Sequence, residues 1–417
     1  MRWQLQGLWK NPDFTKVWLS RAISNLGNGI TGIALPVIAV QVLAATPAQM
    51  SILSVLNGMA VLLFGLLAGV WIDRLRRRPI LIATDLGRAL VVSSIPVAAL
   101  LGILRIEQLY IVAALSAILA VFFNAADVAF FPGLVQPQEL VEGNSKLGMS
   151  DALAEVGGPA VAGVLIQAIS APLSMIIDAL SFLGSAFSLA RIRKPEPQQL
   201  PAKQRRGVWH ESLEGLQFVL KDPLLRALAG SAAIFNFFGT FVGTFYAFYV
   251  IRELRVTPII LGLLIAAGGL SALVGAWLAE RVVRRLGLGL TIGAGLFMYG
   301  LVGLLVPLAR GPVSVIVTVL FVSQLVGDVA VSIHLISEVS LRQMLIPARL
   351  AGRANTAIQF LTLGVAPVGA LLAGVIAVHV GVRFTLFIGM VGVIAAGLWL
   401  LLSPVRGVQA NKSKDRI

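Results

Sequence analysis

Apolar segments long enough to cross a lipid bilayer follow one another along almost the whole chain. A helix of about 18 or more apolar residues spans a hydrocarbon core roughly 30 Å thick. Only 12% of the 417 residues are charged, against about 25% in soluble domains. The sequence predicts an all-α membrane protein with twelve transmembrane helices, near 17–43, 50–72, 80–104, 109–131, 147–168, 171–190, 227–250, 258–279, 288–308, 313–337, 354–378 and 383–402.

The two halves of the chain repeat each other. Six residue pairs share an offset of 207 or 208 residues, close to half the length: Asp73 with Glu280, Arg74 with Arg281, Arg77 with Arg284, Arg78 with Arg285, Asn28 with Asn236 and Pro159 with Pro367. Parallel repeats of membrane helices are typical of secondary transporters. We predict six-helix bundles at 1–194 and 223–404, a cytoplasmic linker with an amphipathic helix at 195–222, and a basic cytoplasmic tail at 405–417.

Basic residues are concentrated on one side of the predicted membrane. With the N-terminus in the cytoplasm, 27 of the 33 Lys and Arg residues fall in cytoplasmic segments and five in outer loops. This asymmetry follows the positive-inside rule and predicts that both termini are cytoplasmic, in the cell (inner) membrane. The net charge of +14 is therefore expected to set orientation and to contact membrane lipid, not nucleic acid.

The linker contains apolar residues at helical spacing, which predicts an amphipathic helix. The residues in question are Trp209, Leu213, Leu216, Val219 and Leu220. Such a helix lies along the inner membrane surface or packs beneath the bundle, and the sequence leaves both arrangements open.

Two signatures resemble the major facilitator superfamily. Residues 69–78 resemble its loop pattern Gly-x-x-x-Asp-Arg-x-Gly-Arg-Arg, with Arg76 in place of the second Gly. Gly157, Gly158, Pro159 and Gly163 resemble the glycine-proline signature of its antiporters. Segments 122–132 and 214–219 are similar to the branch of macrolide-efflux and enterobactin-export proteins. The resemblance implies two pseudo-twofold-related six-helix bundles, the major facilitator fold, and export by alternating access.

The repeated turn is a candidate cytoplasmic gate. Asp73 follows the inner end of span 2, where its carboxylate can pair with Arg or cap span 3 and lock one conformation. The predicted gate contains Asp73, Arg74, Arg77, Glu280 and Arg281. The alternative for the arginines is that they only hold the loop inside the cell.

The glycine-proline signature on span 5 is expected to shape helix packing. Gly157, Gly158 and Gly163 allow a neighbouring helix to approach closely, because they lack side chains. Pro159 removes a backbone hydrogen bond and kinks the span.

Ionisable residues inside the spans are candidates for proton coupling, because charge in lipid is costly unless it is used. Asp127, Glu155 and Asp328 are the main candidates. Asp127 stands where the resembling branch has Arg. Asp85 and Arg88 are close enough on span 3 to pair, and we expect either coupling or a structural ion pair.

Span 10 adds Glu338, one turn from His334. A His beside a carboxylate can titrate near neutral pH, which suits proton transfer. The alternative is that both side chains lie at the inner interface, in contact with water.

Polar and aromatic residues on spans 1, 7 and 10 are candidates for substrate binding, since pockets for small molecules combine apolar walls with a few polar groups. They are Asn28, Asn236, Phe238, Phe241, Tyr246 and Gln324. The alternative for each aromatic residue is ordinary packing.

The sequence contains no phosphate-binding loop and no metal-ligand spacing, so we expect an ion gradient as the energy source and neither cofactor nor metal. We expect that the protein is not an enzyme. We expect a monomeric secondary transporter that exports an amphipathic, drug-like small molecule in exchange for protons. A siderophore exporter, a lysophospholipid transporter and a non-transporting membrane sensor on a transporter fold are the alternatives.

Overall fold

The computed structural model describes residues 7–72, 75–194, 196, 208–347 and 350–409. Twelve of its helical segments are long and apolar enough to span a membrane, which confirms the predicted all-α membrane architecture. The helices are α1 (Pro12–Val37), α2 (Pro47–Ile72), α3 (Arg77–Leu100), α4 (Ile106–Phe130), α5 (Leu140–Ile169), α6 (Ala171–Ala190), α7 (Val208–Lys221), α8 (Pro223–Phe248), α9 (Pro258–Leu286), α10 (Leu288–Gly303), α11 (Leu305–Leu308), α12 (Val313–Leu345), α13 (Ala351–Leu363), α14 (Ala366–Val380) and α15 (Val382–Leu402).

The first membrane helix of each half begins with the same kind of cap. Asn11 and Asp222 each accept two hydrogen bonds from backbone amides of the first turn, and a proline follows each cap. A side-chain oxygen at this position satisfies amides that have no partner within the helix, and proline is pre-organised for the first helical position. These caps begin α1 at Pro12 and α8 at Pro223, each several residues before the predicted apolar run.

The backbone repeats the internal duplication of the sequence. The π-helical turns Ile38–Val42 and Tyr249–Glu253 end α1 and α8, and their first residues are 211 positions apart. Beyond them, Ala44 and Arg255 adopt φ values of 48° and 56°. Positive φ is uncommon for residues other than glycine, so the same feature at matched positions is strong evidence for a repeat.

The described residues form two compact units, and each unit has the same pairing of helices. In the first unit α1 packs against α5 and α6, and α3 packs against α4 and α6. In the second unit α8 packs against α14 and α15, and α10 packs against α12 and α15. The first unit draws its residues from Met1–Ala45, Met59–Pro201 and Thr257–Ala266, and the second from Thr46–Gly58, Ala202–Val256 and Ala267–Ile417. Each unit thus takes in one short segment from the other predicted half.

Two predicted spans are interrupted helices in the structure. The ninth is broken at Leu304, between α10 and α11, and the eleventh is broken between α13 and α14. Pro307 lies just after the first break and Pro367 just after the second. A proline lacks the amide that would continue the helical hydrogen bonding, which accounts for breaks at these positions.

The linker helix α7 packs against α13 in the second unit. Val219 is fully buried and belongs to an apolar cluster with Leu225, Ile346 and Ile358, while Leu220 is exposed. Glu214 forms an ion pair with Arg353 at 2.7 Å. The C-terminal part of α7 therefore packs against the helices of its own unit.

Candidate functional site

A cluster of charged side chains joins three helices of the first unit, and we call Arg21, Asn25, Asp127 and Asp151 the Arg21 cluster. Arg21 Nη1 on α1 lies 3.0 Å from Asp127 Oδ2 on α4. Its Nη2 and Nε donate to the two carboxylate oxygens of Asp151 on α5, at 2.9 and 3.2 Å. Asn25 donates to Asp151 Oδ1 at 2.7 Å. One guanidinium thus forms ion pairs with two carboxylates.

The Arg21 cluster is partly exposed. About a quarter of the Arg21 side chain and a third of that of Asp151 are exposed, whereas Asp127 is buried. With both carboxylates ionised the cluster carries one excess negative charge, which is costly in a membrane unless a cation compensates it. The arrangement can therefore accommodate a proton or a cationic group.

A second cluster in the same unit holds charged groups that are buried, next to one exposed neutral residue, Asn28. We call it the Arg88 cluster, and it contains Asp85 and Arg88 on α3, Asp178 and Ser185 on α6, and Asn28 on α1. Asp85 and Asp178 are fully buried, and Arg88 is 3% exposed. Arg88 Nη1 donates to Asn28 Oδ1 at 3.3 Å, and Arg88 Nη2 lies 3.9 Å from Asp85 Oδ1.

Aromatic rings enclose the Arg88 guanidinium. Its central carbon lies 4.8 Å from the ring centre of Phe123 and 4.4 Å from that of Phe182. A cation held against aromatic faces gains electrostatic stabilisation that grows when water is excluded. The rings thus help to keep a charged Arg88 in the interior of the unit.

In the second unit, polar side chains form a short chain between α8 and α12. Tyr246 donates to Gln324 Oε1 at 3.3 Å, and the Gln324 amide donates to Asp328 Oδ2, one turn further along α12. The structure therefore brings together three of the residues predicted for coupling or substrate binding.

His334 and Glu338, also on α12, each have another partner. His334 Nδ1 lies 2.8 Å from the carbonyl oxygen of Ile292. Because a carbonyl only accepts, Nδ1 carries the hydrogen. Glu338 forms an ion pair with Arg342 at 3.5 Å, one turn along the helix. Proton coupling through Glu338 stays a prediction.

The predicted gate is only partly within the described residues, because Asp73 and Arg74 lie outside them. The Arg77 amide donates to Glu196 Oε1 at 2.7 Å. Glu280 pairs with Arg284 at 3.5 Å on an exposed face of α9, and the Arg281 guanidinium stacks on Trp277, 3.7 Å from its ring centre.

The glycine-proline signature on α5 lies at two close approaches of helices within the first unit. A Cβ atom on Gly158 would lie 3.0 Å from Gly29 Cα on α1, and one on Gly163 would lie 3.0 Å from Ile259 Cα on α9. A Cβ on Gly157 would make only an ordinary contact with Leu26. Pro159 is buried inside α5, which continues past it.

Two of the aromatic residues predicted to bind substrate pack between α8 and α15. The Phe238 ring lies against Gly392, and Phe241 is buried against Gly389. Asn236 donates to the Ala232 carbonyl one turn earlier on α8. These contacts give the three residues a structural role, and substrate binding by them and by Asn28 stays a prediction.

Glu155 is exposed on α5, one turn beyond Asp151. Its role in coupling stays a prediction. Among the residues that the structure describes, no group of three or more His, Asp or Glu side chains is arranged to hold a metal ion.

Sequence reasoning did not single out Arg21, Asp151 or Asp178 as site residues. Arg21 is one of the polar residues of span 1, and Asp151 and Asp178 are ionisable residues of spans 5 and 6, but the predicted sites include none of them. An arginine within a membrane helix needs an anionic partner, and this signal could have identified it. Which carboxylate it meets depends on how α1, α4 and α5 pack together, and the residue spacing carries no such information.

Comparison with known proteins identifies the family. The family model described as "Major Facilitator Superfamily" matches residues 17–366. The chain belongs to the Major Facilitator Superfamily. Its sequence is 27% identical to the MFS-type transporter YfiS of Bacillus subtilis (strain 168), over 92% of this chain and 91% of that protein. It is 28% identical to the multidrug efflux pump Tap of Mycolicibacterium fortuitum, over 49% of this chain and 51% of that protein.

Solved structures of major facilitator transporters share the fold. A bacterial homologue of the iron transporter ferroportin in an inward-facing state has a TM-score of 0.75 at 20% identity, covering 95% of this chain and 99% of that one. A point mutant of the nucleoside transporter NupG has a TM-score of 0.76 at 11% identity, covering 93% of this chain and 99% of that one. The chain is thus an integral multi-pass membrane transporter of this superfamily, a class of proteins that are not enzymes.

Proposed function

We propose that this major facilitator transporter exports an amphipathic, drug-like small molecule from the cytoplasm in exchange for protons, by alternating access. The main support for the proposal is the Arg21 cluster. Its single guanidinium is shared by two carboxylates, Asp127 and Asp151, on separate helices. Uptake of one proton removes the excess negative charge, and loss of that proton leaves the cluster able to attract a cation.

Two further observations support export of a drug-like molecule. The first is the similarity to the multidrug efflux pump Tap, which covers about half of each chain. The second is the chain of Tyr246, Gln324 and Asp328, which offers polar groups for binding substrate. A proton moving down a membrane potential releases about 2.3 kcal/mol per 100 mV, enough for accumulation of tens-fold. We also propose that the protein is a monomer of the bacterial inner membrane. We place both termini in the cytoplasm, because basic residues are concentrated in the segments on that side.

The test is efflux of ethidium, and of a macrolide, measured in everted membrane vesicles with an imposed pH gradient. We compare the wild type with Asp127→Asn and with Glu107→Gln, which makes the matched change at an exposed carboxylate in the first turn of the same helix. We expect movement driven by the gradient in the wild type and Glu107→Gln, and its loss in Asp127→Asn.

The other outcomes discriminate among the alternatives. If a folded wild type moves neither compound, the multidrug proposal is wrong, and siderophores and lysophospholipids are the next substrates to assay. If Asp127→Asn transports as well as the wild type, coupling does not run through the Arg21 cluster.

A further inference from the structure

The Arg88 cluster contains two carboxylates and one cation, all of them buried. Asp85 and Asp178 are fully buried, and Arg88 is nearly so. Asp127 on α4 is a further acidic group that acts on Asp85 electrostatically. An uncompensated charge buried in a low-dielectric interior is costly, so a stable fold is expected to neutralise it.

The two carboxylates differ in the hydrogen-bond donors that the protein places at their oxygens. Asp178 accepts a hydrogen bond from Thr31 at Oδ2, and the Ser181 hydroxyl lies 3.1 Å from Oδ1 and 2.7 Å from the Asp178 carbonyl oxygen, either of which can accept its hydrogen. Hydrogen bonds of this kind favour the ionised form. Asp178 acts on Arg88 electrostatically without a direct ion pair, and it is therefore equipped to carry the negative charge that balances Arg88.

Asp85 has far less support for a negative charge. Its Oδ2 contacts the Ser185 hydroxyl, but its Oδ1 makes no hydrogen bond with any residue in the described ranges. The Arg88 guanidinium remains 3.9 Å from that oxygen, a distance at which no direct hydrogen bond forms. An ionised Asp85 would leave a buried oxygen without a hydrogen-bond donor among the described residues.

The Ser185 hydroxyl can accept a hydrogen bond from the acid hydrogen of a protonated Asp85. The Ser185 hydroxyl also lies 2.6 Å from Ser20 Oγ on α1. A carboxylic acid at Asp85 can donate through Oδ2 to Ser185, which in turn donates to Ser20. Hydroxyl groups both donate and accept hydrogen bonds, so the hydrogen bonds can run from Asp85 to Ser185 to Ser20 through the same contacts.

We propose that Asp85 is a second proton-binding site, which holds one proton at neutral pH while Asp178 stays ionised and balances the charge of Arg88. The site is separate from the Arg21 cluster, and its ligand is the proton itself. The bound proton makes the charges of Arg88, Asp178 and Asp85 sum to zero. A hard metal ion is a poorer occupant, because such ions take about six or more oxygen ligands and Arg88 already occupies the cationic position.

The proposal predicts how each substitution changes the bound proton. Asp85→Asn replaces the acid by a neutral group of the same shape. Asp178→Asn leaves Asp85 as the one carboxylate of the cluster that can balance Arg88, so Asp85 gives up its proton. Either single change preserves the charge balance, whereas the double change leaves Arg88 buried without a carboxylate in the cluster.

Infrared spectroscopy of the purified full-length protein at neutral pH tests this directly. We expect the carbonyl-stretch band of a protonated carboxylic acid in the wild type, and its loss in both Asp85→Asn and Asp178→Asn. Glu107→Gln is the control and keeps the band. A wild-type spectrum whose difference from Asp85→Asn lacks this band overturns the proposal.

Thermal unfolding in detergent provides a second measurement on the same variants. We expect both single variants to unfold close to the wild type, and the double variant to unfold roughly 6–20 °C lower. If sodium stabilises the wild type but not Asp85→Asn, with choline as the control, a metal ion occupies the site and the proposal is wrong. Neither measurement depends on a substrate, so failure of ethidium transport overturns the proposed function alone.

Discussion

Replacing Gly158 with Ala tests the close approach of α1 and α5. The added Cβ would lie 3.0 Å from Gly29 Cα and 3.4 Å from the Leu26 carbonyl oxygen. Both are backbone atoms, which cannot swing aside as a side chain does, so the two helices must separate. Overpacking of a close-packed contact costs about 1–3 kcal/mol. At about 2–4 °C per kcal/mol for units of 150–250 residues, the unfolding temperature should fall by roughly 2–12 °C.

Gly157→Ala is the matched control, one residue earlier on the same helix. Its Cβ would lie 3.7 Å from Leu26 Cδ2, an ordinary van der Waals distance. Since Ala is favoured over Gly inside a helix by up to about 1 kcal/mol, this variant should unfold at or slightly above the wild-type temperature. The assay is tryptophan fluorescence during heating of the purified protein in detergent. Equal unfolding temperatures for the two variants would show that α1 and α5 do not meet at Gly158.

Three further predictions concern other contacts. Glu214→Arg and Arg353→Glu should each destabilise the protein, and the double variant should regain stability. A double-mutant cycle should give a coupling energy of up to about 1 kcal/mol that weakens in high salt. Additive effects of the two substitutions would show that the ion pair does not form. Asp222→Ala should cost about 0.5–2 kcal/mol in thermal unfolding by removing a helix cap, whereas Asp222→Asn, which keeps the acceptor, should cost less. Tyr246→Phe should raise the half-saturating ethidium concentration by up to about tenfold, because Gln324 loses a hydrogen-bond donor; an unchanged value would place the substrate elsewhere.

The number of spans and the repeat could be predicted from the sequence because both depend on local composition and spacing. Apolar length alone predicts a membrane helix. The start of α1 at Pro12 was missed because it depends on the Asn11 cap, which precedes the apolar run. The break before Pro367 was also missed, since the run remains apolar across it.

The charged clusters could be predicted only in part. Asp85 and Arg88 are three residues apart on one helix, so their proximity follows from helical geometry. The pairing of Arg21 with Asp127 and Asp151 joins residues more than 100 positions apart. Such contacts depend on which helix faces meet, and helical periodicity within each span does not determine that.

Proton release on substrate binding is the measurement that addresses coupling at the Arg21 cluster most directly. Ethidium is added to the purified protein in weakly buffered detergent solution, and a pH indicator counts the protons released. We expect the wild type to release protons, Asp85→Asn to release the same number, and Asp127→Asn to release none while still folded. Ethidium binding without proton release in the wild type, or equal release in Asp127→Asn, would contradict proton exchange at this cluster.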